Sequence, residues 1–173
     1  MREIKYDGQY LQIAKIDNWE YVTRKNANGA VIIIPVDGQE LVMIKEFRVP
    51  LQCRVLGFPA GLVGDKASNE DVFAAARREM VEEVGLLPNS LKLLIENSPS
   101  SSGLTDETFS MLLAQDLVEV GKGGGDETED IEVVRVPLSK INLFLKELDK
   151  SILISPKVYI GLFFLQRFGY VLG

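Results

Sequence analysis

The sequence predicts an α/β chain in which a mixed β-sheet packs against helices. Three observations predict this class. Short strand-like segments occupy both halves of the chain, one amphipathic helix lies between them, and two further helical segments follow near the C-terminal end. The 173 residues, 46% of them hydrophobic, suffice for a substantial core. We therefore expect a single domain over residues 1–173.

The predicted strands are short apolar, β-branched and aromatic runs that turn residues separate. They cover residues 10–16, 19–23, 30–36, 40–47, 91–95, 108–114 and 131–136. The run at 30–36 is continuously apolar, which indicates a buried central strand. Asp37-Gly38 turns the chain into the next strand and so predicts a hairpin. The two C-terminal helices are predicted over residues 138–150 and 157–168.

The helix in the middle of the chain has one apolar face, formed by residues that recur at every fourth position: Val72, Ala76, Met80 and Val84. Ser68 followed three residues later by Asp71 predicts a capping box at its start. Gly85 occupies the position where a left-handed glycine ends a helix.

A second face of this helix carries Glu79, Glu82 and Glu83, with Arg78 one turn before Glu82. The helix dipole disfavours anions in the last turn by about 0.3 to 1 kcal/mol each, and the first and last of these glutamates repel each other. A divalent cation such as Mg²⁺ or Mn²⁺ would relieve this repulsion and accept phosphate oxygens as further ligands. The alternative is a solvated acidic face, which is the usual explanation for a generic helix with three glutamates.

Eight positions over 23 residues match the spacing G-x5-E-x7-R-E-x-x-E-E-x-G-L: Gly64, Glu70, Arg78, Glu79, Glu82, Glu83, Gly85 and Leu86. This pattern resembles the Nudix box. The resemblance implies a Nudix-type α/β/α sandwich with a mixed β-sheet. It also implies an enzyme that uses Mg²⁺, or alternatively Mn²⁺, to cleave a nucleoside diphosphate linked to another moiety.

Residues 19–24 resemble the N-terminal segment of the ADP-ribose pyrophosphatase branch of this family. In that branch the segment is commonly exchanged between subunits and helps to build the substrate pocket. The resemblance implies a homodimer in which the strands of residues 1–24 are exchanged, while residues 25–173 form the Nudix fold. Trp19 would then stack on a base, and the alternative is that Trp19 packs in the core or in an interface.

Residues 45–48 resemble the family segment that ends in a phosphate-binding arginine, so Arg48 is expected to contact the substrate phosphates. Arg54 is a weaker candidate of the same kind. Residues 57–61 resemble the family's "ELPAG", in which the alanine carbonyl ligates a metal, so Ala60 is a candidate ligand. Two departures are visible: Gly57 replaces the glutamate, and Gly61 lies three residues before the first glycine of the box.

Glu107 follows a turn that resembles a family loop, and it either contacts metal or substrate or is an exposed loop residue. The acidic segment 126–130 resembles a bacterial loop that closes on the substrate and carries the catalytic base. Glu127 and Glu129 match its two carboxylate positions. Residues 121–125, with four glycines, are expected to lack regular structure and to let these acids move.

The composition excludes several function classes. A net charge of −6 argues against a general nucleic-acid binder, but not against a nucleotide substrate whose charge a metal offsets. The absence of histidine removes Ser-His-Asp and Cys-His catalysis, so acid–base work falls to residues such as Asp and Glu. A single cysteine, no signal-peptide core and no membrane-spanning run lead us to expect a cytoplasmic protein without membrane partners.

We expect hydrolysis of the diphosphate linkage of ADP-ribose, giving AMP and ribose 5-phosphate. The alternatives are hydrolysis of other nucleoside-diphosphate sugars and a non-catalytic Nudix module that senses a nucleotide. The resemblance implies a set of oxygen ligands for the metal: Glu79, Glu82, Glu83 and the carbonyl of Ala60. Glu127 or Glu129 would take a proton from the attacking water, Arg48 would neutralise the diphosphate, and Arg78 and Glu70 would hold the box loop.

Overall fold

The computed structural model describes residues 1–67, 69–125 and 129–173, and within them it contains two β-sheets and three α-helices. The N-terminal sheet contains β1 (Arg2–Asp7), β2 (Leu11–Ile16) and β3 (Trp19–Arg24). The main sheet contains β4 (Ala30–Asp37), β5 (Glu40–Arg48), β6 (Cys53–Gly57), β7 (Ala60–Leu62), β8 (Leu86–Pro99), β9 (Thr108–Glu119), β10 (Ile131–Pro137) and β11 (Leu153–Ile154). The helices are α1 (Val72–Val84), α2 (Ile141–Glu147) and α3 (Pro156–Arg167).

β4 is the centre of the main sheet and separates two apolar cores. It pairs in parallel with β9 and antiparallel with β5 and β7, so the sheet is mixed. Because side chains alternate along a strand, Val31 and Ile33 pack in the core with α1, whereas Ile32 and Ile34 face the core that includes α2 and α3. The predicted α/β/α sandwich with a mixed sheet is therefore confirmed.

The central helix begins and ends at residues whose backbone chemistry explains its limits. Asp71 is the N-cap, and its carboxylate accepts hydrogen bonds of 2.8 Å from the N–H groups of Phe73 and Ala74. The predicted capping box that starts at Ser68 is therefore wrong, and Ser68 itself lies outside the described residues. Gly85 has a φ of +72° and ends the helix, as predicted.

The structure extends or shortens several predicted elements. The predicted strands at 91–95 and 108–114 belong to the longer hairpin of β8 and β9. The predicted helix at 138–150 is a short 3₁₀ turn followed by α2, because Leu148 adopts an extended conformation that ends the helix. Asp149 then accepts hydrogen bonds from the N–H and hydroxyl of Ser151 in a local turn.

The C-terminal helix α3 divides its side chains between the core and the surface. Leu162 and Leu165 are buried, whereas Tyr159 and Phe163 are more than half exposed. No helix in the described part of the chain is long and apolar enough to cross a bilayer.

Candidate active site

The centre of the site consists of two carboxylates on α1 that lie beneath the backbone of β7. Glu79 and Glu83 are one turn apart, with only 7% and 3% of their surfaces exposed. The backbone N–H of Ala60 donates a hydrogen bond of 3.0 Å to Oε2 of Glu83. Gly61 lies so close to Glu79 that a Cβ at this glycine would overlap the carboxylate. The structure therefore brings Glu79, Glu83 and Ala60, three of the predicted metal ligands, together.

Burial makes both carboxylates costly to ionise in the metal-free chain. Desolvation raises the pKa of Glu83 from 4.5 to about 9, and the nearby charges of Glu79, Glu129 and Glu46 act in the same direction. Desolvation likewise raises the pKa of Glu79 to about 7, against the lowering effect of the arginine that precedes it. A cation held between these side chains would offset the cost of ionising them.

Arg78 connects the carboxylates to the loop that precedes α1. Its guanidinium pairs with both carboxylate oxygens of Glu70, at 2.9 and 3.1 Å, and the N–H of Gly64 donates to the same carboxylate. Arg78 also donates to Glu79 at 2.6 Å and to Glu82 at 3.2 Å. Two further acceptors lie on the loop: the carbonyl of Leu62 and the carboxylate of Asp65. Because the guanidinium binds the carboxylate of Glu70 directly, it lowers the pKa of that group.

The chemistry of this cluster fits a hard divalent cation. Its donors are carboxylate and carbonyl oxygens, which Mg²⁺ and Mn²⁺ prefer. As the side chains stand in residues 1–67, 69–125 and 129–173, no three Asp, Glu, Cys or His converge closely enough to hold an ion. Arg78 binds Glu79 and Glu82 in this arrangement, so these two carboxylates would have to turn from the guanidinium towards the cation.

The two arginines that were predicted to contact the substrate lie on the paired strands β5 and β6. Arg48 ends β5 with its side chain about half exposed, and it pairs with Glu46 at 2.7 Å. Arg54 on β6 donates instead to both carboxylate oxygens of Asp130, each at 2.7 Å. Arg48 therefore keeps about half of its side chain accessible at the end of β5, whereas Arg54 is engaged with Asp130.

One of the two predicted bases can be placed relative to the carboxylates. Glu129 lies against Gly125, where a Cβ on the glycine would come within 2.8 Å of the Cβ of Glu129. Its charge raises the pKa of Glu83, which indicates that it lies near the buried cluster. Glu127 lies outside the described residues.

Trp19 and Glu107 lie at or near the N-terminal sheet. Trp19 is 72% exposed, so the prediction that it packs in the core is wrong, while stacking on a base and packing in an interface remain as alternatives. Glu107 accepts a hydrogen bond of 2.7 Å from Nε of Arg24. A cleft of about 190 Å³ opens beside this pair, lined by Thr23, Arg24, Ala27, Asn28, Gly29, Asp106, Glu107 and Thr108.

Sequence reasoning missed three contributors to the site. Gly61 contacts Glu79 directly, although the longer loop before the box concealed this role. Glu46 acts on Glu83 from a neighbouring strand, and no local pattern indicates this. The glycines of 121–125 were expected to serve mobility, yet their backbone contacts the end of α1. The run of consecutive glycines was the available signal, but nothing in the sequence indicates that it meets this helix.

The chain resembles a known protein family and several known proteins in sequence. A family model described as NUDIX domain matches residues 25–154. ADP compounds hydrolase NudE of Escherichia coli (strain K12) is 35% identical over 126 residues, which are 73% of this chain and 65% of that protein. ADP-ribose pyrophosphatase of Bacillus subtilis (strain 168) is 35% identical over 112 residues, 64% of this chain and 58% of that protein. The chain thus spans less than two thirds of the length of both relatives.

A solved structure shows the same arrangement of elements. The crystal structure of an ADP compounds hydrolase superimposes with a TM-score of 0.76 at 28% sequence identity. The superposition covers 99% of this chain and 95% of that chain, so it includes the N-terminal sheet as well as the main sheet.

Proposed function

Because the chain belongs to the Nudix family, we propose that it is a metal-dependent hydrolase that cleaves the diphosphate linkage of ADP-ribose into AMP and ribose 5-phosphate. The observation that carries this proposal is the pair Glu79 and Glu83, which are buried with raised pKa values beneath the backbone of β7. Glu79 pairs with Arg78, and Glu83 is held by a backbone N–H. Burying two adjacent carboxylates around a single guanidinium destabilises a fold, so their position favours a role in binding a further cation.

We propose that Mg²⁺, or alternatively Mn²⁺, is held by four oxygen ligands: the carboxylates of Glu79, Glu82 and Glu83 and the carbonyl of Ala60. When bound, the cation supplies positive charge that polarises the phosphoryl oxygens and acidifies the attacking water. The chain positions these oxygens through two contacts, since the N–H of Ala60 orients Glu83 and Gly61 leaves room for Glu79.

The remaining roles fall to charged residues around the cluster. Glu129, or Glu127 in the same acidic segment, takes the proton from the water that attacks one phosphorus in line. Arg48 has an accessible guanidinium that can neutralise part of the diphosphate charge. Arg78 and Glu70 hold the box loop through their bidentate ion pair.

The substrate is proposed from the names of the relatives and from the segments that flank the box. Both the Escherichia coli and the Bacillus subtilis relatives are named for ADP compounds or ADP-ribose. Other nucleoside-diphosphate sugars are the second candidate. A non-catalytic sensing module is disfavoured, because the chain retains all three glutamates of the box.

We further propose a homodimer that forms through residues 1–24 and acts in the cytoplasm. The N-terminal sheet presents large exposed side chains that an interface would cover: Ile4, Tyr6, Leu11, Ile13, Ile16 and Trp19. Exchange of this sheet between subunits would place Trp19 near the partner's site. The single cysteine, Cys53, has no possible disulfide partner within the chain, which suits a reducing compartment.

The test is a product screen with the purified chain. ADP-ribose and a panel of nucleoside-diphosphate sugars are incubated with Mg²⁺, with Mn²⁺ or with a chelator, and the products are separated by ion-exchange chromatography. We expect AMP and ribose 5-phosphate from ADP-ribose only when metal is present. Faster cleavage of another nucleotide sugar would replace the proposed substrate, and no hydrolysis of any diphosphate would refute the enzymatic function.

A further inference from the structure

The last turn of α1 receives hydrogen bonds from a glycine-rich segment that lies far from it in sequence. An α-helix leaves its final four carbonyl groups without partners inside the helix. Here the N–H of Gly124 donates to the carbonyl of Glu83 at 2.8 Å, and the N–H of Gly125 donates to the carbonyl of Glu82 at 3.0 Å. Two carbonyls of the helix end are therefore satisfied by residues 123–125, which we call the glycine strap.

The strap adopts a backbone conformation that other residues rarely adopt. Gly123, Gly124 and Gly125 have φ values of +66°, +104° and +77°, so three consecutive residues are in the region that favours glycine. Gly123 also approaches the helix closely. A Cβ at this position would lie 2.6 Å from Cα of Val84 and 2.7 Å from the carbonyl oxygen of Glu83, and backbone atoms cannot yield as a side chain can.

The position of this contact links it to the buried carboxylates. The residues whose carbonyls the strap binds are the same glutamates that supply metal ligands in the proposed function. The backbone of Glu83 is thus held by the strap, while its carboxylate is held by the N–H of Ala60. A flexible spacer would need neither the left-handed run nor a contact at this distance, so simple chain flexibility does not account for the strap.

We propose that the glycine strap positions the metal-binding carboxylates by holding the end of α1, and that Gly123 is the positioning residue because only glycine permits the contact. This inference rests on the proposed function, since it assigns the strap to the same metal site. Displacing the strap would release the carbonyls of Glu82 and Glu83 and loosen the last turn, which would widen the range of positions that the two carboxylates sample. Outer-shell changes of this kind typically weaken metal binding by about 10- to 100-fold.

Three alanine variants test the contact between the strap and α1. In Gly123→Ala both the backbone conformation and the contact with α1 are disturbed. Gly124→Ala changes a residue that also has positive φ but whose Cβ would meet nothing within 4 Å. Gly121→Ala, just outside the strap, has open space and no left-handed φ, so it is the matched control.

The measurements are Mn²⁺ affinity by calorimetry, thermal unfolding without metal, and turnover as a function of Mn²⁺ concentration. We expect Gly123→Ala to bind Mn²⁺ about 10-fold or more weakly, with much of its turnover restored at saturating Mn²⁺. Gly124→Ala should show a smaller loss of affinity, and Gly121→Ala none. Wild-type affinity in a folded Gly123→Ala variant would overturn the inference, as would equal losses in Gly123→Ala and the control Gly121→Ala.

Amide hydrogen exchange on the wild-type chain tests the same inference without a variant, so the result does not depend on whether a variant folds. We expect the amides of Gly124 and Gly125 to be protected and to become more protected when Mn²⁺ binds, because coupling between two sites is reciprocal. Exchange at the rate of an unstructured peptide would overturn the inference. A wild-type chain that binds no Mn²⁺ would instead refute the proposed function, while protected strap amides would still show the contact with α1.

Discussion

Replacing Glu83 by glutamine is expected to stabilise the metal-free protein while it removes activity. The pKa of Glu83 is raised from 4.5 to about 9, so between these values the folded state binds a proton that the unfolded state has released. The unfolding free energy therefore falls as pH rises through this range. A glutamine in its place keeps an oxygen that can accept the hydrogen bond from Ala60. Because an amide does not ionise, the unfolding free energy of this variant does not fall with pH at this position.

The size of the effect follows from the raised pKa. At pH 7.5, keeping a carboxyl of pKa about 9 protonated costs about 4 kcal/mol relative to a carboxyl in its ordinary range. Local relaxation and an amide N–H that needs its own partner reduce this value. We therefore expect Glu83→Gln to raise the free energy of unfolding by on the order of 1 to 3 kcal/mol. For a chain of this length the gain corresponds to a rise in Tm of about 3 to 10 °C.

The assay is thermal unfolding in the presence of a chelator at pH 6.0, 7.5 and 8.5, together with hydrolysis of ADP-ribose in Mg²⁺. The stabilisation should grow with pH, and turnover should fall by at least about 100-fold, since loss of outer-shell partners alone costs up to that much. Glu147→Gln, an exposed glutamate on α2, is the control and should change neither property. A lower Tm at every pH, or turnover within tenfold of the wild type, would refute the reasoning.

Three further predictions concern the same chain. The raised pKa values keep Glu83 largely protonated, and Glu79 partly protonated, in the metal-free protein near neutral pH. Mn²⁺ binding should therefore release protons, and its affinity should increase from pH 6 to 9. Calorimetry in buffers of different ionisation enthalpy measures this, and a pH-independent affinity would contradict it. Arg78→Ala leaves the nearly buried carboxylate of Glu70 without its partner and should cost about 3 kcal/mol of stability in chemical denaturation, whereas an unchanged midpoint would show that the ion pair is dispensable. If the exposed side chain of Trp19 packs in an interface, Trp19→Ala should shift the chain from dimer to monomer in light scattering; if it stacks on a base, the variant should raise KM for ADP-ribose. An unchanged mass together with an unchanged KM would exclude both roles.

The sequence alone predicted the elements whose signals are local and periodic. The apolar run of β4, the every-fourth-residue face of α1 and the helix-ending Gly85 were each interpreted correctly, because periodicity and backbone preference act over a few residues. The box spacing likewise placed Glu79 and Glu83 on one helical face. The short strands β6, β7 and β11 were not predicted, because pairing with neighbouring strands stabilises them and their own composition does not.

Only the tertiary structure decided how these residues combine into a site. Pairing of β7 with β4 brings Ala60 and Gly61 onto the two carboxylates, which buries them and raises their pKa values. The same folding brings Gly124 and Gly125 onto the end of α1 across about forty residues of sequence. Burial and Coulomb interactions depend on distances in space, and these distances are set by strand register and helix packing, which no single segment of the chain encodes.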